Sequence, residues 1–260
     1  MKLSYLLNRL SHVVGKRYSK ASFVETIPED ATILELGPFY NPMCRGSKVK
    51  YFEILDQSAL AKRAKAIDSN INTDSIPFID YVSPNGDLSV VEGSFDVVVS
   101  SHVIEHQIDL IGHLQKVSRL LNEGGKYYLV IPDKRYCFDH FNPESTIADV
   151  LNAHVEKRNK HSLKSVIEHR VLTTHNDARK HWAGEHGTRD NMLNKIKDAV
   201  TEYNTQEYID VHAFYFTPDS FSNIIHQLNE LGNIDLAISR LHKTSFHRFE
   251  FYCVLEKTKH

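Results

Sequence analysis

The tightest constraint in this sequence is an alternation of two periods between residues 31 and 133. Four short runs, ATILELG (31–37), VKYFEILD (49–56), SFDVVVSS (94–101) and KYYLVIPD (126–133), are almost continuously apolar and bounded by turn residues. A strand apolar on both faces is covered on both faces, which is the condition of a parallel sheet flanked by helices. Helical spacing fills the intervals. QSALAKRAKAI (57–67) follows the second run, and the third passes through SHVIEH into IDLIGHLQKVSRLLNEGG. There Ile108, Ile111, Leu114, Val117, Leu120 and Leu121 share one helical face, with Gly124 as the expected C-cap. Strand and helix in alternation predict an α/β architecture.

The pattern breaks after residue 133. TIADVLNAHVEKRN, SLKSVIEHRVL and NMLNKIKDAVTEYNTQ are polar and helix-forming with modest apolar stripes. Strand and helix resume with AFYFTPDSFSNIIHQLNELG, and IDLAISRLHKT and SFHRFEFYCVLEK stand close enough to pair as a closing hairpin. The expected organisation is a helical cap over 1–30, a ligand-binding domain over 31–133 and 211–260, and a helical insertion over 134–210. Insertions at the C-terminal ends of parallel strands lie where ligands bind, so this one is expected to serve as a lid or substrate platform.

Composition removes several classes. The 31 Lys and Arg nearly balance 33 Asp and Glu, against the basic excess of a general nucleic-acid binder. Cys44, Cys137 and Cys253 show no CxxC spacing, which predicts neither disulfides nor a Cys-based zinc site and suits a reducing cytoplasm. No apolar run approaches the roughly 18 residues of a membrane span. Near the N-terminus, Leu3, Leu6, Leu7, Leu10, Val13 and Val14 fall at helical spacing. Such a helix covers the core, or lies on a membrane surface as a peripheral contact with Lys2, Arg9, Lys16 and Arg17 on its polar side.

The first run ends in ELGPFYNP, and Asp56 closes the second run 21 positions after Glu35. In a doubly wound sheet the first loop meets the ligand's backbone and an acid about 20 residues on accepts ribose hydroxyls. A dinucleotide needs GxGxxG for its pyrophosphate, whereas Gly37 is followed by Pro38, Phe39 and Tyr40. S-adenosylmethionine (SAM) has no pyrophosphate. One close approach at Gly37 suffices for it.

With these pieces in order the sequence resembles the class I SAM-dependent methyltransferases. The matching residues are ILELG, Asp56, NGDLSVVEGSFDVVVSSHVIEH and LLNEGGKYYLVIPD, over roughly 31–133, with the hairpin matching at 234–257. The resemblance implies a Rossmann-like, mostly parallel sheet with a terminal antiparallel hairpin and the helical insertion after the fifth strand. It also implies SAM contacts from Glu35, Gly37, Pro38 and Asp56, an adenine border at Asp87 and Leu88, and a methionine side at Ser101 and His102. One departure stands out: only residues 38–49, with Pro38, Pro42 and Gly46, separate the first two strands, so the usual intervening helix is short or missing. A narrower resemblance, carried by SHVIEHQIDLIGHL, IPDKRYCFDHFNPESTIADVLNAH and YIDVHAFYFTP, is to methyltransferases encoded with bacterial capsule and O-antigen glycosyltransferases.

Methyl transfer to a hydroxyl asks for positioning and a base near neutral pKa. His106, just past the fourth strand, is the candidate base. Asp133, followed by Lys134 and Arg135, is the second: Asp133 orients or deprotonates the acceptor and Arg135 holds an anionic part of it. His102, Glu105 and His106 form HxxEH, which on one helical face places two nitrogens and a carboxylate on a divalent metal. Methyltransferases of the ubiquinone pathway and of small-RNA ends carry a similar ExxEH; here His102 replaces the first Glu. Eight of the 16 His lie between 133 and 212, together with the single Trp in RKHWAGEHG. Trp182, His181 and His186 suit a sugar-stacking or metal-supporting wall, or simple packing between helices. The expected reaction is O-methylation of a sugar hydroxyl, nucleotide-linked or polymer-linked, in surface-polysaccharide synthesis. The alternatives are a small phosphorylated or aromatic acceptor and a non-catalytic SAM-binding regulatory or scaffold protein.

Overall fold

A computed structural model describes residues 18–205 and 209–258. The expected apolar stripe of residues 3–14 lies outside the described residues. Seven strands form one sheet: β1 (Ile33–Leu36), β2 (Val49–Glu53), β3 (Tyr81–Val82), β4 (Phe95–Ser101), β5 (Leu121–Pro132), β6 (Leu236–His242) and β7 (Glu250–Lys257). Their order is β3-β2-β1-β4-β5-β7-β6. The β1 to β5 pairings are parallel, and β7 pairs antiparallel with both β5 and β6. This is the expected Rossmann-like, mostly parallel sheet closed by a hairpin. The chain leaves β1 toward β2 on one side and returns to β4 on the other. Between them lies the switch point at which such sheets bind ligands.

Side chains alternate across the pleat, so each strand feeds two cores. Leu34, Leu36, Val98, Leu129, Ile131 and Phe251 face one way. They meet Ile111, Leu114 and Val117 of α3 (Leu110–Leu120) and Phe221, Ile224 and Leu228 of α8 (Pro218–Glu230). Ile33, Val97, Val99, Tyr128, Val130 and Val254 face the other way, against Phe23 of α1 (Lys20–Val24) and Leu60 of α2 (Gln57–Ile67). Most of these side chains are fully buried, each contributing about 1.5–3 kcal/mol by leaving water.

The insertion after β5 carries α4 (Ile147–Val155), α5 (Leu163–Leu172), α6 (Ala178–Trp182) and α7 (Met192–Tyr203). The pair α5 and α7 has a small core of its own, Val166, Ala199, Ile209 and Val211, and Arg170 grips Glu202 through two hydrogen bonds of 2.9 and 2.8 Å. α4 is tied to the sheet domain instead: His154 Nδ1 lies 2.9 Å from Asp109, the cap of α3.

The structure corrects four sequence expectations. β2 stops at Glu53, because the Asp56 carboxylate turns to cap α2, accepting from Ala59 N at 2.8 Å. β4 does not run into a helix: His102 takes a left-handed φ of 55°, a short 3-10 turn spans Ile104–His106, and α3 begins only at Leu110. Gly124 is not a C-cap. α3 ends at Leu120, and Gly124 (φ 68°) lies in the first part of β5, beside the register shift between Phe95 and Val97. AFYF is not a strand either; among its residues only Phe216 bridges, to Asp133, and Thr217 with Ser220 caps α8. Between β1 and β2 the chain forms turns and no helix, as the prolines require.

Candidate functional site

Gly37 leaves β1 at φ 67°, and a Cβ there would stand 2.7 Å from Val103 Cγ2. Only glycine fits, because both the backbone region and the space exclude a side chain. The loop that follows is held from below by Glu35. Its buried carboxylate accepts from Met43 N (2.7 Å) and Cys44 N (2.9 Å). Burial pushes its pKa up to about 7, against the pull of those two hydrogen bonds and of Arg45. Glu35 therefore shapes the loop. At the end of β2 the neighbouring acid is Glu53, a buried carboxylate that accepts from Phe39 N (3.3 Å) and Ile54 N (2.8 Å) and whose pKa burial raises. Pro38 directly precedes Phe39, whose amide Glu53 holds. Asp87 caps a 3-10 turn containing the buried Leu88 and pairs with Lys116 at 2.8 Å. That hydrogen bond, with those from Ser89, lowers its pKa to about 2.

The end of β4 meets the start of β7. Ser101 Oγ accepts from Lys20 Nζ at 2.8 Å. His102 Nε2 lies 2.7 Å from Glu250 Oε1, and His102 Nδ1 lies 3.5 Å from Glu105 Oε1. Burial opposes the imidazolium, but the hydrogen bond to Glu250 and the charges of Glu105 and Glu250 outweigh it and raise the pKa to about 9. His102 is thus a cation at neutral pH.

Beyond it opens a cavity of about 400 Å³ lined by His102, Glu105, His106, Phe138, His169, Asp210, His212 and Phe249, among others. Glu105 is 1% exposed, and neither of its carboxylate oxygens has a hydrogen-bond partner. Its main-chain carbonyl accepts from Ala213 N (2.7 Å) and Phe214 N (3.1 Å), which draws His212 to the cavity. His212 Nδ1 donates to Asp139 Oδ2 at 2.7 Å, and its Nε2 lies 3.9 Å from Glu105 Oε1. His106 Nδ1 lies 3.2 Å from Asp210 Oδ1. Burial lowers the His106 pKa, but Asp210 and Glu105 prevail and raise it. Asp210 also pairs with Arg63, whose guanidinium lies over Phe39. This contact joins the Gly37 loop to the cavity.

Among the described residues, two sets of groups at or beside the cavity converge closely enough to share an ion: Glu105, His106 and His212, and Asp139, His169 and His212. His102, placed in the metal set by its spacing, is drawn off to Glu250 because the turn at its own backbone breaks the helical face. A buried carboxylate without a hydrogen-bond partner, among imidazoles that offer nitrogen ligands, is the donor set of a divalent cation.

Asp133 and Arg135 do not line the cavity. The Asp133 carboxylate, wholly buried, is occupied by Arg135 (2.9 and 2.7 Å) and by Thr244 Oγ1 (2.6 Å). It anchors the strand end. Trp182 stacks on Tyr136 at 3.9 Å and 4° and donates to Arg248 O at 2.9 Å.

Sequence reasoning missed Glu53, Asp139, His212 and Glu250. Glu53 was legible in principle, as the last residue of the apolar run KYFE before the helix. The other three come from distant segments, and no local spacing marks them.

A family model described as a methyltransferase domain matches residues 7–229. No curated protein matches the chain. Solved structures with similar folds include a SAM-dependent methyltransferase from Mesorhizobium loti (15% identity, 91% of this chain and 96% of that one, TM-score 0.45). A second is a possible histamine N-methyltransferase from Thermotoga maritima (12%, 98% and 92%, TM-score 0.43). A third is the magnesium protoporphyrin IX methyltransferase of Synechocystis PCC 6803 (9%, 98% and 95%, TM-score 0.43).

Proposed function

The chain belongs to the methyltransferase-domain family, and from that premise we propose that it methylates a hydroxyl of a saccharide, nucleotide-linked or polymer-linked, in bacterial surface-polysaccharide assembly. SAM supplies a methyl group on a sulfonium whose positive charge disappears as the new bond forms. Gly37 gives its backbone room to approach, and Glu53, rather than Asp56, accepts the ribose hydroxyls. Holding donor and acceptor in line accounts for the larger part of such a rate.

The observation that carries the acceptor side is the Glu105 carboxylate, buried with neither oxygen hydrogen-bonded, beside His106 and His212. These three residues fit a divalent ion, which when bound polarises an acceptor hydroxyl and lowers its pKa. Asp139 orients His212 for this role. Imidazoles, carboxylates and the rings of Phe138 and Phe249 give the cavity the mixture of hydrogen-bonding groups and apolar edges that a sugar ring needs. The narrower likeness in IPDKRY and YIDVHAFYFTP supports the surface-glycan setting.

A second reading rests on Asp210. Its carboxylate beside His106 raises the basicity of that imidazole, so that His106 itself takes the hydroxyl proton. Transfer of labelled methyl from SAM to a panel of nucleotide sugars and oligosaccharides tests the acceptor class; labelling confined to aromatic or non-sugar acceptors refutes it. Turnover that vanishes on EDTA treatment and returns with a divalent ion supports the ion. Undiminished turnover leaves His106 as the base.

A further inference from the structure

The inserted segment holds another cluster of imidazoles, separate from the cavity. We propose that His140, His181 and His186 bind a divalent transition ion of the Zn²⁺ class, which clasps the loop after β5 to α6. One ligand nitrogen from each lies within 4.8 Å of the other two. Two of the rings already have their second nitrogen committed to the main chain. His140 Nδ1 donates to Arg135 O at 2.8 Å, and His181 Nε2 donates to His175 O at 3.0 Å. Each carbonyl fixes a tautomer and leaves a lone pair, on His140 Nε2 and on His181 Nδ1, which is how metal-binding histidines are usually oriented.

His186 Nδ1 stands 3.0 Å from His181 Nδ1. Two nitrogens at about 2.0–2.1 Å from a tetrahedral ion are roughly 3.3 Å apart, so this pair is close to ligand spacing. The third edge needs adjustment, because the His186 ring stacks on His140 at 3.6 Å and 8°. A turn of His186 supplies it: the residue lies between Gly184 (φ 86°) and Gly187 (φ 77°). Burial and the neighbouring imidazoles lower the pKa of His181 and of His186, which favours the unprotonated form that ligates. Three imidazoles suit zinc and its neighbours in the first row better than magnesium or calcium.

The position gives the ion a task. α6 carries Trp182 against Tyr136, and Asn176 of the same segment lines the cavity. An ion here would hold one wall of the cavity to the strand-end loop, using no ligand of the Glu105 set.

EDTA-stripped full-length protein is titrated with Co²⁺, read by the visible absorption of tetrahedral cobalt, in wild type, His140→Asn, His186→Asn and His212→Asn. One equivalent with tetrahedral absorption is expected in His212→Asn, whose Glu105 set lacks a ligand, and one equivalent fewer than in wild type in each of His140→Asn and His186→Asn. Zn²⁺ should raise the melting temperature of wild type more than that of His186→Asn. His186 is partly exposed, so this variant folds, and circular dichroism verifies it. A cobalt stoichiometry in His186→Asn equal to that of wild type, or a wild type whose bound cobalt is lost wholly in His212→Asn, overturns the assignment.

Discussion

At the scale of single residues, the charge of His102 and the missing hydrogen bonds of Glu105 set the character of the site. The His102 pKa, raised to about 9 by Glu105 and Glu250 against the cost of burial, exceeds that of an unfolded histidine, about 6.5. The folded state therefore binds the extra proton between these values. Its contribution to stability is complete below about pH 6.5 and disappears as pH rises through about 9. The melting temperature of the wild type should decline across this window, and the decline should flatten in His102→Asn, which keeps the left-handed backbone. An unchanged slope in the variant would assign the titration elsewhere. Glu105→Gln removes the charge but little volume. A loss of at least 100-fold in kcat with SAM affinity within threefold is expected, from calorimetry beside initial rates. A parallel loss of SAM binding would place Glu105 in the cofactor site instead.

At the scale of elements, the sequence read well wherever burial is two-sided and poorly at the ends. The runs that became β1, β4 and β5 are apolar on both faces because helices cover both, so their pattern needs no tertiary information. Strand ends are decided by hydrogen bonds that composition does not encode. VKYFEILD holds two acids, and the hydrogen bonds at the strand end decide between them: Asp56 caps α2 and leaves Glu53 as the terminal acid. Asp56→Ala should cost about 1 kcal/mol of stability, as cap losses do, in denaturant titration, with SAM affinity unchanged. Glu53→Gln should weaken SAM at least tenfold. The reverse pattern restores Asp56 as the ribose acid. At the β1 exit, Gly37→Ala meets both a positive φ and Val103 at 2.7 Å, so about 1–3 kcal/mol is expected from strain.

At the scale of the molecule, two large cores sandwich the sheet while the α5 and α7 pair has only a small one. Local opening follows buried apolar contact. Amide exchange should therefore protect β4 and β5 more strongly than α5 and α7, by at least tenfold in native-state hydrogen exchange. Equal protection would mean that the insertion unfolds only with the sheet. Among the described residues no helix is long and apolar enough to cross a membrane.

The sequence by itself determined the mostly parallel sheet, the closing hairpin, the inserted helices and the glycine at the β1 exit. Each follows from a local pattern, either the period of apolar residues or a backbone position open to glycine alone. Only the tertiary structure decided which side chains share the cavity. Glu105, His106, Asp139 and His212 meet because the Glu105 carbonyl binds the amides of residues 213 and 214, across more than a hundred positions of chain. Asp133, placed by sequence at the chemistry, is instead bound on both oxygens by Arg135 and Thr244. A residue's type and its place at a strand end are local properties, whereas its partners are supplied by the fold.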